Sequence, residues 1–187
     1  MARVVTLSEL KNINPDSINE SRSVVQKALK NSQQRINNNN SVFVSYSSKD
    51  SETLPAVLKV ISGHGGTPYV DKADKRLPDK SSKETADILK KTIIASKKLV
   101  VFVTSNTKNS KWVPWELGIG DGAKKEYDIA LFPSTENMTE TKWYEQEYFG
   151  LYRRILWGKL EGQKDSVWMV YNLYTKTAIE LSRWIKE

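Results

Sequence analysis

Apolar positions along the chain alternate between short runs and helically spaced stripes. Short runs rich in β-branched residues predict buried strands at residues 41–46, 67–70, 99–104 and 129–132. The segments between these strands carry apolar residues at helical spacing, which predicts helices at Leu54–Ile61, Ile88–Ala95 and Trp112–Ala123. A regular alternation of strand and helix is typical of an α/β protein with a doubly wound parallel sheet, here of about five strands.

The two ends of the chain are less regular. Asn14-Pro15-Asp16 is a good helix start, and a thin apolar stripe follows it before the polar run at 37–40. We therefore predict an N-terminal helical extension and linker at residues 1–40 and a main domain at 41–187. Toward the C-terminus the pattern predicts a helix at 143–156, a strand at 167–171 and a closing helix at 175–186.

The cysteine and histidine content, the apolar runs and the net charge argue against several classes of protein. The 187 residues contain no cysteine and one histidine, so we expect no metal site, no disulfides and a cytoplasmic protein. The start lacks the apolar run of a signal peptide, and no stretch approaches the length of a membrane span. The net charge of +7 favours anionic partners, but the lysines are dispersed and no nucleic-acid-binding motif occurs.

The ligand of an open α/β sheet binds at the carboxyl ends of its strands. This edge is formed here by residues 46–50, 71–83 and 104–115. The sequence contains no phosphate-binding loop, and the glycines of 118–122 lie in or after a helix, where a dinucleotide clamp is not expected. The first of these turns has a single acid, Asp50, whereas the metal site of a receiver domain needs several. Asp50 or Ser51 is expected to cap the helix that follows. His64 lies in a glycine-rich turn with no serine elbow nearby, which argues against a catalytic triad.

Glu116 is the strongest candidate for a catalytic residue. Trp112 and Glu116 are four residues apart on a predicted helix, so they share a face that begins at the ligand edge. A glutamate on an apolar, aromatic first turn is desolvated unless it has a partner or a task. The alternative interpretation is an acid that stabilises the helix and pairs with a lysine.

Three stretches resemble conserved boxes of the Toll/interleukin-1 receptor (TIR) domain family. Residues 43–50 (FVSYSSKD) resemble the first box, and Tyr69-Val70-Asp71 with the loop through Leu77-Pro78 resembles the second strand and the BB loop. Residues 110–118 (SKWVPWELG) resemble the third, with the Trp-x-x-x-Glu spacing of the members that cleave NAD+. Two departures are Val113, where many enzymatic members have cysteine, and the lack of a glycine near Leu77-Pro78.

This resemblance implies a flavodoxin-like TIR fold and an NAD+ nucleosidase that needs no bound cofactor, since NAD+ is the substrate. It implies Glu116 as the catalytic carboxylate. The implied substrate-binding residues are Trp112 and Trp115 for stacking and Ser45, Tyr46, Ser47, Lys49 and Asp71 at the strand ends. Lysines and an arginine of the long loop, Lys72, Lys75, Arg76 and Lys80, add positive potential or form a solvated surface.

The resemblance extends to bacterial antiphage sensors of the Thoeris type. It implies self-association or activator-induced assembly, and a nucleotide product that reaches a separate effector protein. Both hydrolysis to ADP-ribose and cyclisation remain open. Two other functions also remain open, namely a non-catalytic TIR interaction module and a nucleoside-processing enzyme of related fold.

Overall fold

A computed structural model describes residues 2–13, 39–71, 82–137 and 147–187. It confirms the α/β fold class, with a largely parallel sheet and helices on both of its faces. The strands are β1 (Val5–Thr6), β2 (Ser41–Ser45), β3 (Thr67–Tyr69), β4 (Lys98–Val103), β5 (Ile129–Thr135), β6 (Arg153–Gly158), β7 (Val167–Asn172) and β8 (Thr177–Glu180). The helices are α1 (Leu7–Ile13), α2 (Leu54–Gly63), α3 (Lys83–Ala95), α4 (Trp112–Ala123) and α5 (Leu181–Lys186).

The centre of the sheet consists of the four strands that the hydrophobic runs predict. Their order is β3-β2-β4-β5, and all three pairings are parallel. Every residue of β2, β4 and β5 is buried, as expected of strands covered by helices on both faces. Their carboxyl ends therefore lie at one edge, where Ser45 ends β2 and Val103 ends β4.

Two apolar clusters cover the two faces of the sheet. On one face, Val44 and Phe102 pack with residues of α2 and α5. On the other face, Phe43 and Val101 pack with residues of α3 and α4. The alternation of neighbouring strand residues between the clusters follows the two-residue period of a strand, and it fixes which side chains face α4.

Gly120 is the one glycine of the run at 118–122 that the packing of the helix requires. It lies inside α4, and a Cβ atom at this position would stand 2.2 Å from Leu99 Cδ2. Helix and strand approach closely here only because residue 120 has no side chain. A Cβ at Gly118 or Gly122 would meet nothing within 4 Å. The interpretation of this run as helix packing, rather than as a dinucleotide clamp, agrees with this geometry.

The C-terminal third corrects the sequence prediction. The described part of the predicted helix at 143–156 is a short 3₁₀ turn, Glu147–Leu151, followed by strand β6. The predicted strand at 167–171 is confirmed as β7, but the predicted closing helix begins with strand β8 and is helical only from Leu181. β6 pairs parallel with β5 and antiparallel with β7, so tertiary pairing overrides the helical pattern. The described residues thus form eight strands instead of about five.

The start of the chain also contributes to the sheet. β1 pairs parallel with the end of β5, matching Val5 with Ser134, and Val5 and Leu10 are buried in the apolar cluster of α2. The predicted helix that starts at Asn14 lies outside the described residues, and the domain boundary at residue 40 stays a prediction. In the parts of the chain that the structure describes, no helix is long and apolar enough to cross a membrane.

Candidate active site

The centre of the candidate site is a contact between β2 and α4. Ser45 is the last residue of β2 and faces α4, because it alternates with Val44 along the strand. Its hydroxyl donates a hydrogen bond of 2.5 Å to Glu116 Oε2, and both side chains are buried. Ser45 was predicted to bind substrate, whereas its hydroxyl is here hydrogen-bonded to the candidate carboxylate.

Burial dominates the electrostatics of Glu116. Only 3% of the residue is exposed. Loss of hydration raises the pKa of its carboxyl group from 4.5 to about 8, the Ser45 hydrogen bond opposes this shift, and the charge of Asp71 adds to it. The protein without substrate therefore holds Glu116 largely protonated at neutral pH. The expected desolvation is confirmed, and a perturbed carboxyl group of this kind is typical of functional sites.

The position of Glu116 within α4 differs from the prediction, which placed it on the first turn. The helix begins at Trp112, so Glu116 is its fifth residue and lies beyond the first turn, where the helix dipole is strongest. Ser110, two residues before the helix, accepts a hydrogen bond of 3.3 Å at its Oγ from the backbone N–H of Val113 in the first turn. The dipole thus contributes little to the state of Glu116, and burial decides it.

Two tryptophans lie on the turn of α4 that precedes Glu116. The rings of Trp112 and Trp115 are 5.3 Å apart and nearly perpendicular, at 82°. Trp112 packs against the apolar cluster of α3 and α4, whereas Trp115 is 38% exposed. An edge-to-face pair of this kind presents an aromatic surface beside the carboxylate, on which a planar ring can stack.

Tyr46 and Asp71 complete the surroundings of Glu116. Tyr46 follows Ser45 directly, and Asp71 lies two residues after β3, at the same edge of the sheet. The pKa of the Tyr46 hydroxyl is raised by burial and, to a lesser extent, by the charges of Asp71 and Glu116. Tyr46 packs in the apolar cluster of α2 and α5, so of the predicted residues Ser45 contacts Glu116 directly, whereas Tyr46 and Asp71 act on the edge through their burial and charge.

Ser47 and Lys49 occupy the turn after β2. Ser47 is buried, and its hydroxyl accepts a hydrogen bond of 3.4 Å from the backbone N–H of Lys49, which caps a short 3₁₀ turn. Lys49 itself is exposed. Their predicted contact with a diphosphate stays a prediction. The charged loop with Lys72, Lys75, Arg76, Lys80 and Leu77-Pro78 lies outside the described residues.

Asp50 has a role that the sequence analysis missed. It was expected to cap the following helix, but α2 begins after Thr53, and Asp50 is instead buried between two strand ends. Its carboxylate accepts hydrogen bonds of 2.7 Å from Thr104 Oγ1 and 2.6 Å from Asn106 Nδ2. These bonds join the turn after β2 to the turn after β4, and so hold the two turns together at the ligand-binding edge of the sheet.

The described ranges contain no group of three histidine, aspartate or glutamate residues that could hold a metal ion. The described residues of this edge offer the buried carboxyl group of Glu116, its serine partner and two tryptophan rings on the same helix. Such a site can bind a planar cationic ring and stabilise a positive charge that develops next to Glu116.

Comparison with known proteins agrees with the sequence resemblance. Residues 43–130 match the family described as Thoeris protein ThsB, TIR-like domain. This range contains Ser45, Asp71, Trp112 and Glu116. A protein of Bacillus cereus (strain MSX-D12) is 28% identical over 169 residues, which cover 89% of this chain and 84% of the relative. That relative is described as a probable 3′ cyclic ADP-D-ribose synthase ThsB′.

Proposed function

We propose that this chain is a member of the TIR-domain family that includes Thoeris ThsB, and that it cleaves NAD+ at the bond between nicotinamide and ribose and forms a cyclic ADP-ribose product. The observation that carries the proposal is the buried carboxyl group of Glu116, hydrogen-bonded to Ser45 beside two tryptophans. The name of the B. cereus relative supports the same reaction.

The proposed reaction needs only one carboxylate. The nicotinamide nitrogen of NAD+ is already cationic, so the bond to C1′ breaks with its electron pair moving to that nitrogen, and neutral nicotinamide leaves. Other glycosidases need a second carboxyl group because their leaving oxygen must be protonated. Glu116 accepts hydrogen bonds from the ribose hydroxyls and places negative charge beside the oxocarbenium-like transition state.

The raised pKa of Glu116 fits a cationic substrate. An opposite charge within a few ångströms favours the ionised form of a carboxyl group. The cationic nicotinamide of bound NAD+ therefore lowers the pKa of Glu116 and favours the ionised carboxylate that stabilises the transition state. Protonation of this carboxyl group avoids the cost of a buried, unpaired anion, and a cationic substrate removes that cost.

The fate of C1′ after cleavage depends on the access of water. Attack by water gives ADP-ribose, whereas attack by another atom of the same nucleotide gives a cyclic product lighter by one water. The tryptophans beside Glu116 favour cyclisation, since an aromatic surface covering the ribose excludes water.

We place this reaction in bacterial antiphage defence, in a cytoplasmic protein whose nucleotide product acts on a separate effector. Self-association is part of the same proposal, because the exposed ring of Trp115 offers an aromatic surface on which a second copy can pack. A steep rise of specific activity with protein concentration supports assembly, and a constant specific activity argues against it.

The function is tested by incubating concentrated protein with NAD+ and, separately, with a panel of nucleosides, followed by chromatography and mass spectrometry. We expect nicotinamide release from NAD+ and a product lighter than ADP-ribose by one water. Consumption of nucleosides without NAD+ cleavage would indicate a nucleoside-processing enzyme instead. No turnover at any protein concentration, with partner binding that is insensitive to Glu116→Gln, would indicate an interaction module.

A further inference from the structure

A cavity of about 380 Å³ lies away from Glu116, on the opposite face of the sheet. Its lining consists of Arg3, Val5, Glu9, Trp157 and Trp168. Val5 and Trp168 belong to the apolar cluster of α2 and α5, whereas α4 and its glutamate lie over the other face. The cavity is therefore distinct from the candidate active site.

The N-terminal segment forms one wall of this cavity. Two backbone hydrogen bonds join Arg3 and Trp157, from Arg3 N to Trp157 O at 2.9 Å and from Trp157 N to Arg3 O at 3.0 Å. β1 continues from this bridge along the end of β5, where Ser134 Oγ donates a hydrogen bond of 2.7 Å to Val5 O. The wall is thus built into the sheet.

Two indole rings form the opposite wall. Trp157 and Trp168 are paired across β6 and β7, with ring centroids 5.4 Å apart and planes inclined by 62°. Trp168 is held from behind by Phe132, at 5.1 Å between centroids. The two inclined rings form an aromatic corner. Aromatic surfaces of this kind bind nucleobases by stacking, and the stacking depends little on the identity of the base.

The polar part of the lining carries no net charge. Arg3 and Glu9 form a two-pronged ion pair, with N–O distances of 2.6 and 2.9 Å, and Glu9 also accepts a hydrogen bond from the backbone N–H of Thr6. These bonds, led by that of Arg3, lower the pKa of Glu9 to about 2, so it is ionised at physiological pH. An anionic ligand would have to compete with Glu9 for Arg3, and a cation would have to compete with Arg3 for Glu9.

We propose that this cavity is a second ligand site, which binds a neutral planar heteroaromatic molecule of the nucleobase or nucleoside class. Its volume lies at the lower end of the range for small-molecule sites and equals that of about a dozen water molecules. The partly exposed indole of Trp157 stacks on the ring, and the buried indole of Trp168 supports it. The N–H groups of Arg3 and the carboxylate of Glu9 line the same cavity and supply the remaining hydrogen-bonding capacity of their ion pair to the amino and carbonyl groups of the ligand. This proposal does not depend on NAD+ cleavage.

The test uses the full chain labelled with ¹⁵N and follows the indole N–H signals of its tryptophans by NMR. The signals are assigned with Trp157→Phe and Trp168→Phe. The protein is titrated with adenosine, and inorganic phosphate and ribose serve as the anionic and non-aromatic controls. We expect saturable shifts of the Trp157 and Trp168 signals with adenosine alone, also in Glu116→Gln.

The matched variants are Trp157→Leu, which removes one wall of the cavity, and Trp115→Leu, which removes an indole elsewhere. We expect Trp157→Leu to weaken adenosine binding about tenfold or more, and Trp115→Leu to leave the Trp157 signal responsive. If Trp157→Leu does not fold, nuclear Overhauser contacts between adenosine and Trp157 in the wild type decide. No saturable shift at millimolar adenosine, or shifts confined to Trp112 and Trp115, would overturn the proposal.

Discussion

Replacement of Glu116 by glutamine should change how the stability of the protein depends on pH. Glu116→Gln keeps the shape of the side chain and an oxygen that accepts the Ser45 hydrogen bond, but it removes the ability to ionise. In the wild type the pKa of this buried group is raised from 4.5 to about 8. Below pH 4.5 the group is protonated in both the folded and the unfolded protein, so it does not lower the free energy of unfolding.

Between those two pKa values only the unfolded chain releases the proton. The wild-type free energy of unfolding therefore falls by about 1.4 kcal/mol per pH unit from this group, and the loss is complete above pH 8. The total is on the order of 5 kcal/mol. Glutamine escapes this loss, although its buried NH₂ group carries a pH-independent cost of about 1–3 kcal/mol if it lacks a partner. The variant should thus be less stable than the wild type in acid and more stable in alkali.

The assay is urea unfolding of both proteins across this pH range, with the difference in free energy plotted against pH. The control is Glu161→Gln, which removes a carboxylate exposed in the turn between β6 and β7. We expect the Glu116→Gln difference to change by several kcal/mol and the control difference to stay flat. Parallel curves for Glu116→Gln and wild type would refute the claim that Glu116 is buried as a neutral acid.

Three further predictions concern the site and its support. The kcat/KM for NAD+ should rise with pH up to about 8 and then level, because only ionised Glu116 stabilises the transition state; a profile that falls over this range contradicts this role. Ser45→Ala should move this rise to higher pH, because the Ser45 hydrogen bond lowers the pKa of Glu116, whereas Ser47→Ala serves as the control that leaves it in place. Gly120→Ala should destabilise the protein by about 1–3 kcal/mol in urea unfolding, because the added Cβ would overlap Leu99. Gly118→Ala adds its Cβ in open space and should stabilise the protein by up to about 1 kcal/mol. Equal effects of the two substitutions would contradict the close packing at Gly120.

The central sheet could be predicted because local pattern and tertiary environment agree there. The predicted run at 99–104 is apolar from Leu99 to Val103, and these residues form β4 together with Lys98; the strand is buried along its whole length. The helix predicted at Trp112–Ala123 matches α4 at both ends. Such segments contain the information for their own structure, since strands covered on both sides need continuous apolar runs.

The C-terminal strands could not be predicted for a physical reason. Residues 153–158 combine arginine, leucine and tryptophan, which are compatible with both helix and strand. The choice is made by pairing with β5 on one side and β7 on the other, partners that the local pattern does not reveal. The contribution of Val5 to the sheet is hidden for the same reason, since its partner Ser134 is distant in sequence.

The candidate site was predictable in part. The apolar residues around Glu116 indicated its burial, which the structure confirms. The hydrogen bond between Glu116 and Ser45 joins positions 71 residues apart, and the two side chains meet only because α4 packs over the end of β2. Asp50 was misread because a helix-capping residue and a cross-strand acceptor look alike in sequence; Thr104, its partner after β4, was the available signal.

The most direct test of the account is nicotinamide release from NAD+ by the wild type, Glu116→Gln and the control Glu161→Gln, at matched concentration and pH 8. We expect release by the wild type and by Glu161→Gln, and a loss of at least a hundredfold in Glu116→Gln, on the scale of other groups that stabilise a transition-state charge. Undiminished release by Glu116→Gln would contradict the claim that this buried carboxyl group carries the reaction.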